Sequence, residues 1–157
     1  MDPKRRFLCD HMLGSLARWL RFLGYDTLYP EAMDDTAVLR VAREDGRILL
    51  TRDKELASRA GPSGRLVRSE VLDEQLADIR DAFGLDLSGE GLLSRCSLCN
   101  AVLAEIDRSG AEKAGLPAAI AKRHGRFWHC PGCCKLYWPG SHYERIMDKI
   151  GELGKGT

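Results

Sequence analysis

No apolar stretch of this 157-residue chain approaches the ~20 residues needed to span a bilayer, which excludes a helical membrane protein. The opening Met1-Asp2-Pro3-Lys4-Arg5-Arg6 leads into a strand-like segment instead of the apolar core of a secretory signal, so the expected compartment is the cytoplasm. An excess of one charge is also lacking. Lys and Arg number 24 against 23 Asp and Glu, and the net charge of +1 creates no global field to gather nucleic acid. There is no internal repeat and no low-complexity tract. With 44% apolar, 30% charged and 7% aromatic residues, the composition excludes a disordered or fibrous chain and suits one ordinary domain or two small ones.

Cysteine is scarce in the front of the chain, where Cys9 stands alone, and abundant behind, where five cysteines fall in the last 62 residues. Charge divides at the same place. Residues 1–93 carry 14 basic and 17 acidic side chains, a balance of −3, whereas residues 94–157 carry 10 basic and 6 acidic ones, a balance of +4. Two parts with two chemistries are expected: residues 1–88 and residues 89–157, joined through the glycine-rich stretch from Gly84 to Gly91.

In the front part short strand-like runs alternate with helical periodicity, which points to α/β layering. Phe7-Leu8-Cys9 reads as a first strand ending at Asp10. Leu13, Leu16, Ala17, Leu20 and Leu23 form the stripe of a helix stopped by Gly24, with Arg18 and Arg21 outside that stripe. Thr27-Leu28-Tyr29 is a second strand. Asp34-Asp35-Thr36 caps a helix that closes at Gly46, and Ile48-Leu49-Leu50-Thr51 is the clearest strand, stopping at Arg52-Asp53. Leu66-Val67 follows as a fourth strand, and Val71 to Phe83 as a last amphipathic helix ended by Gly84. In the back part, strands are expected over Ala101 to Ile106 and Leu136 to Trp138, with helices from Pro117 and from Ser141 to Ile150.

Cys96-Ser97-Leu98-Cys99 and Cys130-Pro131-Gly132-Cys133 are two C-x-x-C turns. Each such turn delivers two thiolates, so two of them close the tetrahedral shell that zinc prefers and leave no open position, which makes the ion structural. Disulfides do not suit a cytoplasmic chain. Cys134 directly follows the second turn, where metal-binding knuckles prefer glycine for a left-handed backbone; it is either a spare ligand or a small apolar residue. His129 and His142 are kept outside the ligand shell.

The front part carries a second candidate site. In a parallel α/β sheet the C-terminal ends of strands and the N-termini of the following helices share one edge, where ligands bind. Asp10 ends the first strand, Asp53 the third, and Asp35 opens the helix after the second. Three carboxylates on one rim suit Mg²⁺ or Mn²⁺, which favour oxygen ligands and keep water positions free. The same aspartates also serve as plain helix caps, and both readings stay open on position alone. Arg18 and Arg52 lie close enough in sequence to meet phosphate at that rim, or to pair with neighbouring carboxylates.

Phe7 through Arg21, with its run Cys9-Asp10-His11-Met12-Leu13-Gly14-Ser15-Leu16-Ala17-Arg18-Trp19-Leu20-Arg21, then Leu23-Gly24-Tyr25-Asp26, Asp34-Asp35 and Ile48 to Asp53, resemble the Mut-seven C-terminal ribonuclease family, a branch of the PIN-like nucleases. The back part, from Ser94 through both C-x-x-C turns to His142, is similar to the zinc ribbon that this family carries. The resemblance implies a three-layer PIN-like domain with a mainly parallel sheet, followed by a small zinc-ribbon module. It also implies RNA cleavage with divalent metal at Asp10, Asp35 and Asp53. A fourth acid is drawn from Asp34, Asp73 and Glu74, with Asp34 the candidate beside the metal.

The expected function is therefore a Mg²⁺- or Mn²⁺-dependent ribonuclease with one structural zinc, acting on RNA that is single-stranded where it binds. Arg126 and Lys135, among Trp128, Tyr137 and Trp138, give the ribbon a basic and aromatic mixture suited to stacked bases and phosphate contacts, although such aromatics also serve as a miniature core. The rival expectation is a non-catalytic RNA- or ribosome-associated adaptor with a vestigial acidic rim. A toxin of the PIN type is disfavoured, because such nucleases are usually one bare domain.

Overall fold

The computed structural model describes residues 4–156. These divide into two compact units, residues 4–21 with 25–86, and residues 22–24 with 87–156. Among the described residues no helix is long and apolar enough to cross a membrane.

The first unit is built on β1 (Phe7–Cys9), β2 (Thr27–Leu28), β3 (Ile48–Thr51) and β4 (Gly64–Leu66), with α1 (Gly14–Phe22), α2 (Asp35–Glu44), α3 (Lys54–Ala60) and α4 (Leu72–Phe83) between and after them. The strands are all parallel in the order β2-β1-β3-β4, so β1 and β3 are the inner pair. Their sequences are near-continuous apolar runs because both faces of the sheet are covered. Leu8 and Leu49 pack with Val38 and Ala42 of α2 and Leu56 of α3. Phe7, one residue before Leu8 and hence on the opposite face, meets the rings of Tyr25 and of Phe83 in α4 edge-on at 5.8 Å each. Helices on both faces make the unit three-layered, as the resemblance implies.

The helix ends follow the side-chain chemistry. Asp34 and Asp53 accept the Ala37 and Leu56 amides at 2.8 and 3.0 Å and so cap α2 and α3, while Gly84, at φ +66, supplies the left-handed residue that closes α4. Two expectations are corrected. Arg21 does not lie outside the buried face of α1: it is 7% exposed, and its Nε donates to the Thr27 carbonyl at 2.8 Å. The fourth strand starts earlier than Leu66, because Gly64 already pairs with Leu49. A Cβ on Gly64 would stand 2.6 Å from the Ala57 carbonyl oxygen, so only glycine lets α3 come this close to the strand. Cys9 is fully buried, and burial, partly offset by Arg21, pushes its thiol well above the usual range.

The second unit contains β5 (Ala104–Ile106), α5 (Arg108–Lys113), α6 (Ala118–Ala121), β6 (Phe127–His129), β7 (Leu136–Tyr137) and α7 (Ser141–Lys155). The three strands form an antiparallel sheet in chain order, with Glu105 opposite Trp128 and Trp128 opposite Tyr137. The strand expected from Ala101 is shorter, since Val102 makes only an isolated bridge with Arg95. The short helix α5 has no counterpart in the sequence reading; its signal is Asp107, whose carboxylate accepts the Gly110 amide at 2.6 Å. The unit's buried residues include two small clusters. Cys96, Leu103, Cys130 and Tyr137 make the first, and Ala111, Leu116, Ala121 and Phe127 the second.

One ionic cluster ties the first unit together. Arg47, 6% exposed and directly before β3, donates to Asp26 at 2.8 and 3.2 Å, to Asp45 at 3.2 Å and to the Phe7 carbonyl at 3.3 Å. Removing the guanidinium takes a hydrogen-bond donor from Asp26, Asp45 and the Phe7 carbonyl at once. Arg47→Ala is therefore expected to cost about 3 kcal/mol, read as a lowered urea midpoint with an unchanged slope.

Candidate functional site

The parallel register sets the acid edge. Cys9 pairs with Leu50, so Asp10 leaves β1 beside Thr51 at the end of β3, and its amide donates to the Leu50 carbonyl at 3.0 Å. Asp10 is only 6% exposed. Its Oδ2 accepts the Thr51 hydroxyl at 2.9 Å, while its Oδ1 accepts the His11 amide at 2.7 Å and lies 2.9 Å from His11 Nδ1. Thr51 Oγ1 in turn accepts the Asp53 amide at 3.0 Å. One hydroxyl thus connects the carboxylate that ends β1 to the backbone of the acid that follows β3.

Asp53 itself is exposed, with Oδ1 engaged as the cap of α3. Asp34 caps α2, and Asp35 is the first residue of that helix, exposed and without a hydrogen-bonded or ionic partner among the described residues. Because β2 and β3 flank β1, all four aspartates belong to the same edge of the sheet. Among the described residues they do not draw together into a set of three ligands sharing one point. Of the other acids considered, Asp73 and Glu74 open α4, where Glu74 accepts the Ser69 hydroxyl at 2.5 Å. Thr51 is the residue that sequence reasoning missed. Its only signal is a hydroxyl at the end of an otherwise apolar strand.

The candidate cations have divided fates. Arg52 pairs with Glu70 at 3.1 Å and donates to the Arg68 carbonyl at 3.4 Å. Arg126 is held by Glu105 at 3.0 and 3.2 Å and stands 4.9 Å from the Trp128 ring, while Lys135 lies 5.0 Å from the Tyr137 ring. Arg18 is exposed and has no hydrogen-bonded or ionic partner among the described residues.

In the second unit the four cysteines converge. The sulfurs of Cys96, Cys99, Cys130 and Cys133 all lie within 4.8 Å of one another, with Cys96 to Cys133 at 3.6 Å and Cys99 to Cys130 at 3.3 Å. Thiolates ~2.3 Å from a tetrahedral zinc stand about 3.8 Å apart, so the quartet fits zinc in both donor type and spacing. The two turns are built alike. Asn100 and Cys134, each directly after a C-x-x-C, have φ +70 and +66, and each donates its amide four residues back, to the carbonyls of Cys96 and Cys130 at 3.0 and 2.9 Å. Cys134 thus adopts the left-handed conformation that glycine would take, and its exposed side chain stays outside the quartet. Gly132 is needed for a different reason, since a Cβ there would meet Cys99 Sγ at 3.1 Å.

Tyr137 supports the quartet from behind. Its hydroxyl lies 3.1 Å from Cys96 Sγ and accepts the Ser97 amide at 3.1 Å. Burial works against ionisation of Cys96, but the Tyr137 hydroxyl and the amides of Leu98 and Cys99 outweigh it and bring the thiol to about 6. Cys133 is the converse: the Lys135 amide favours its thiolate, yet burial and the other three thiols push it up to about 12. A cation shared by the four sulfurs would favour their thiolate forms and offset the repulsion among them.

A parallel sheet ending in acids, followed by a ribbon with a cysteine quartet, now stands beside a sequence match over most of the chain: the Mut7-C RNAse domain model matches residues 5–150. The chain belongs to the Mut7-C RNAse domain family. A human protein, the exonuclease mut-7 homolog, is similar to this Mut7-C chain, with 33% identity over 107 residues. The match takes in 62% of the chain and 12% of that relative, so the chain spans a small part of the relative's length. No solved structure matches it. The matching family model is described as an RNAse domain, and the human relative is named as an exonuclease.

The quartet makes a direct prediction. Native protein is expected to carry about one zinc per chain by elemental analysis, and Cys96→Ser to lose it together with protease resistance between Ser94 and Tyr137.

Proposed function

We propose that the protein is a metal-dependent ribonuclease that hydrolyses phosphodiester bonds of single-stranded RNA at the edge formed by Asp10, Asp35 and Asp53. In this reading residues 1–88 perform the cleavage, and residues 89–157 form a ribbon that is held by one structural zinc and assists RNA binding. The observation that carries it is the Thr51 hydroxyl joining the nearly buried Asp10 carboxylate to the Asp53 backbone. A carboxylate kept at 6% exposure at a strand end, with no arginine or lysine against it among the described residues, is costly unless its charge has a task.

The donor set suits a hard divalent ion. A carboxylate offers about four lone-pair sites, so Asp10 keeps acceptor capacity beyond the Thr51 and His11 contacts; Asp53 keeps Oδ2, and Asp35 keeps both oxygens. Mg²⁺ usually holds one or two carboxylates and completes its shell with water and substrate phosphate, so three acids need not close on one point. Asp10, Asp35 and Asp53 would hold Mg²⁺ or Mn²⁺, which would supply Lewis acidity to activate water and to offset phosphoryl charge. The chain's own residues orient the parts. Thr51 fixes Asp10 by donating to Oδ2 while the Asp53 amide fixes the Thr51 hydroxyl, so both acids are positioned by strand pairing instead of loop mobility.

Purified, zinc-loaded protein is expected to cleave labelled single-stranded RNA only when Mg²⁺ or Mn²⁺ is added. Asp10→Asn should abolish turnover while retaining zinc and fold. Thr51→Val, which removes a group acting through Asp10, is expected to lower kcat about 10- to 100-fold and to be partly rescued by raised metal concentration. Absence of cleavage from folded, zinc-loaded protein would favour an RNA-binding adaptor instead.

A further inference from the structure

The arginines of the first unit are mostly spoken for. Arg5, Arg6, Arg21, Arg47, Arg52, Arg65 and Arg80 each donate to a backbone carbonyl or a carboxylate. Like Arg18 and Arg68, Arg40, Arg43 and Arg59 are different: among the described residues their guanidinium groups have no hydrogen-bonded or ionic partner, and all three are exposed. They also converge. Arg40 and Arg43, one helical turn apart on α2, and Arg59 near the end of α3 line a single cleft of about 320 Å³ together with Thr36, Leu39 and Glu44. Three guanidinium groups against one carboxylate leave this cleft positive in a part of the chain whose balance is negative. Unpaired like charges held side by side repel, and an anion relieves that repulsion.

The position of the cleft identifies the anion. Its lining begins at Thr36, the residue after Asp35, and follows the exposed face of α2 to Glu44, about 12 Å at 1.5 Å per residue. Its two walls are the helices that start from the acid edge, since α2 opens at Asp35 and α3 is capped by Asp53. We propose that Arg40, Arg43 and Arg59 form a phosphate-backbone site that holds the RNA strand as it leaves the acid edge. Guanidinium forks suit phosphate oxygens, and the shortage of aromatic lining fits contact with the backbone instead of with bases. The proposal rests on the ribonuclease reading, and it moves the main phosphate contacts from Arg52 and Arg126, which have carboxylate partners, to these three.

The test is binding of a labelled single-stranded RNA of mixed sequence to full-length protein carrying Asp10→Asn, without added Mg²⁺ or Mn²⁺, across a range of salt. Each phosphate contact to a single strand contributes about 0.7 to the slope of log affinity against log salt. Combined Arg40→Gln, Arg43→Gln and Arg59→Gln is therefore expected to reduce that slope by about two and to weaken binding roughly tenfold or more at low salt. The matching Lys triple variant, which keeps the charges, is expected to retain most of the slope. A Gln triple variant with native affinity and slope overturns the proposal, as does a Lys triple variant that fails equally, or parent protein that binds no RNA. In the first of these cases, Asp10-dependent cleavage by the native protein leaves the ribonuclease reading intact. Cleft-dependent binding without any cleavage has the opposite meaning, retaining the cleft and removing the enzyme.

Discussion

The pairing of β1 with β3 is the constraint on which the first unit depends. Two short strands, remote in sequence and separated by β2 and α2, lie side by side, and their register fixes what emerges at the sheet edge. A slip of one residue would exchange Phe7 and Leu8 between faces, exposing one to the wrong helices and carrying Asp10 away from Thr51. Packing and chemistry are therefore specified by the same ladder. The apolar contacts of Leu8 and Leu49 with α2 and α3 hold the register, and the register delivers the carboxylate to its hydroxyl.

The second unit solves a different problem. Its strands are two or three residues long and the clusters around Cys96 and Phe127 are small, so backbone pairing and apolar burial alone offer little cooperativity. The cysteine quartet substitutes for a core: Cys96 and Cys130 are themselves buried members of one cluster, and Tyr137 belongs to both that cluster and the thiol network. Two turns with the same left-handed residue after the second cysteine place the sulfurs symmetrically, although one uses Asn100 and the other Cys134. Asparagine tolerates that conformation through its short polar side chain, whereas cysteine must bear a penalty of roughly 1–2 kcal/mol, which the surrounding turn imposes.

Much of this was legible in the chain because the signals were local. The apolar run Ile48 to Thr51, the caps Asp34 and Asp53, the stop at Gly84 and the C-x-x-C spacing each reflect a short-range requirement of helix, strand or turn. What escaped was set by distant partners. Arg21 looked solvent-facing from helical periodicity, but the carbonyl of Thr27 gives its guanidinium a buried place. The start of β4 depends on how closely α3 approaches Gly64, and the length of β5 on where Arg95 meets Val102. The same limit applies to the acid edge: Asp10 and Asp53 could be assigned to one rim by topology, whereas Thr51 as their link required the register. Arg52 and Arg126 carried the right charge for phosphate, but their carboxylate partners Glu70 and Glu105 could not be read from spacing.

The burial of Cys9 bears on how the protein can be handled chemically. Its thiol is enclosed in the sheet and held well above the range in which thiolates attack, so an alkylating reagent at neutral pH passes it by while the fold lasts. Cys134, exposed and outside the quartet, stays open to the reagent throughout. A shared ion would shield the remaining four sulfurs until it is withdrawn. With such an ion in place, a count of modified thiols would report, in sequence, an intact molecule, a ribbon without the ion, and an unfolded sheet, which turns the uneven placement of cysteine into an internal gauge of the two units' separate integrity.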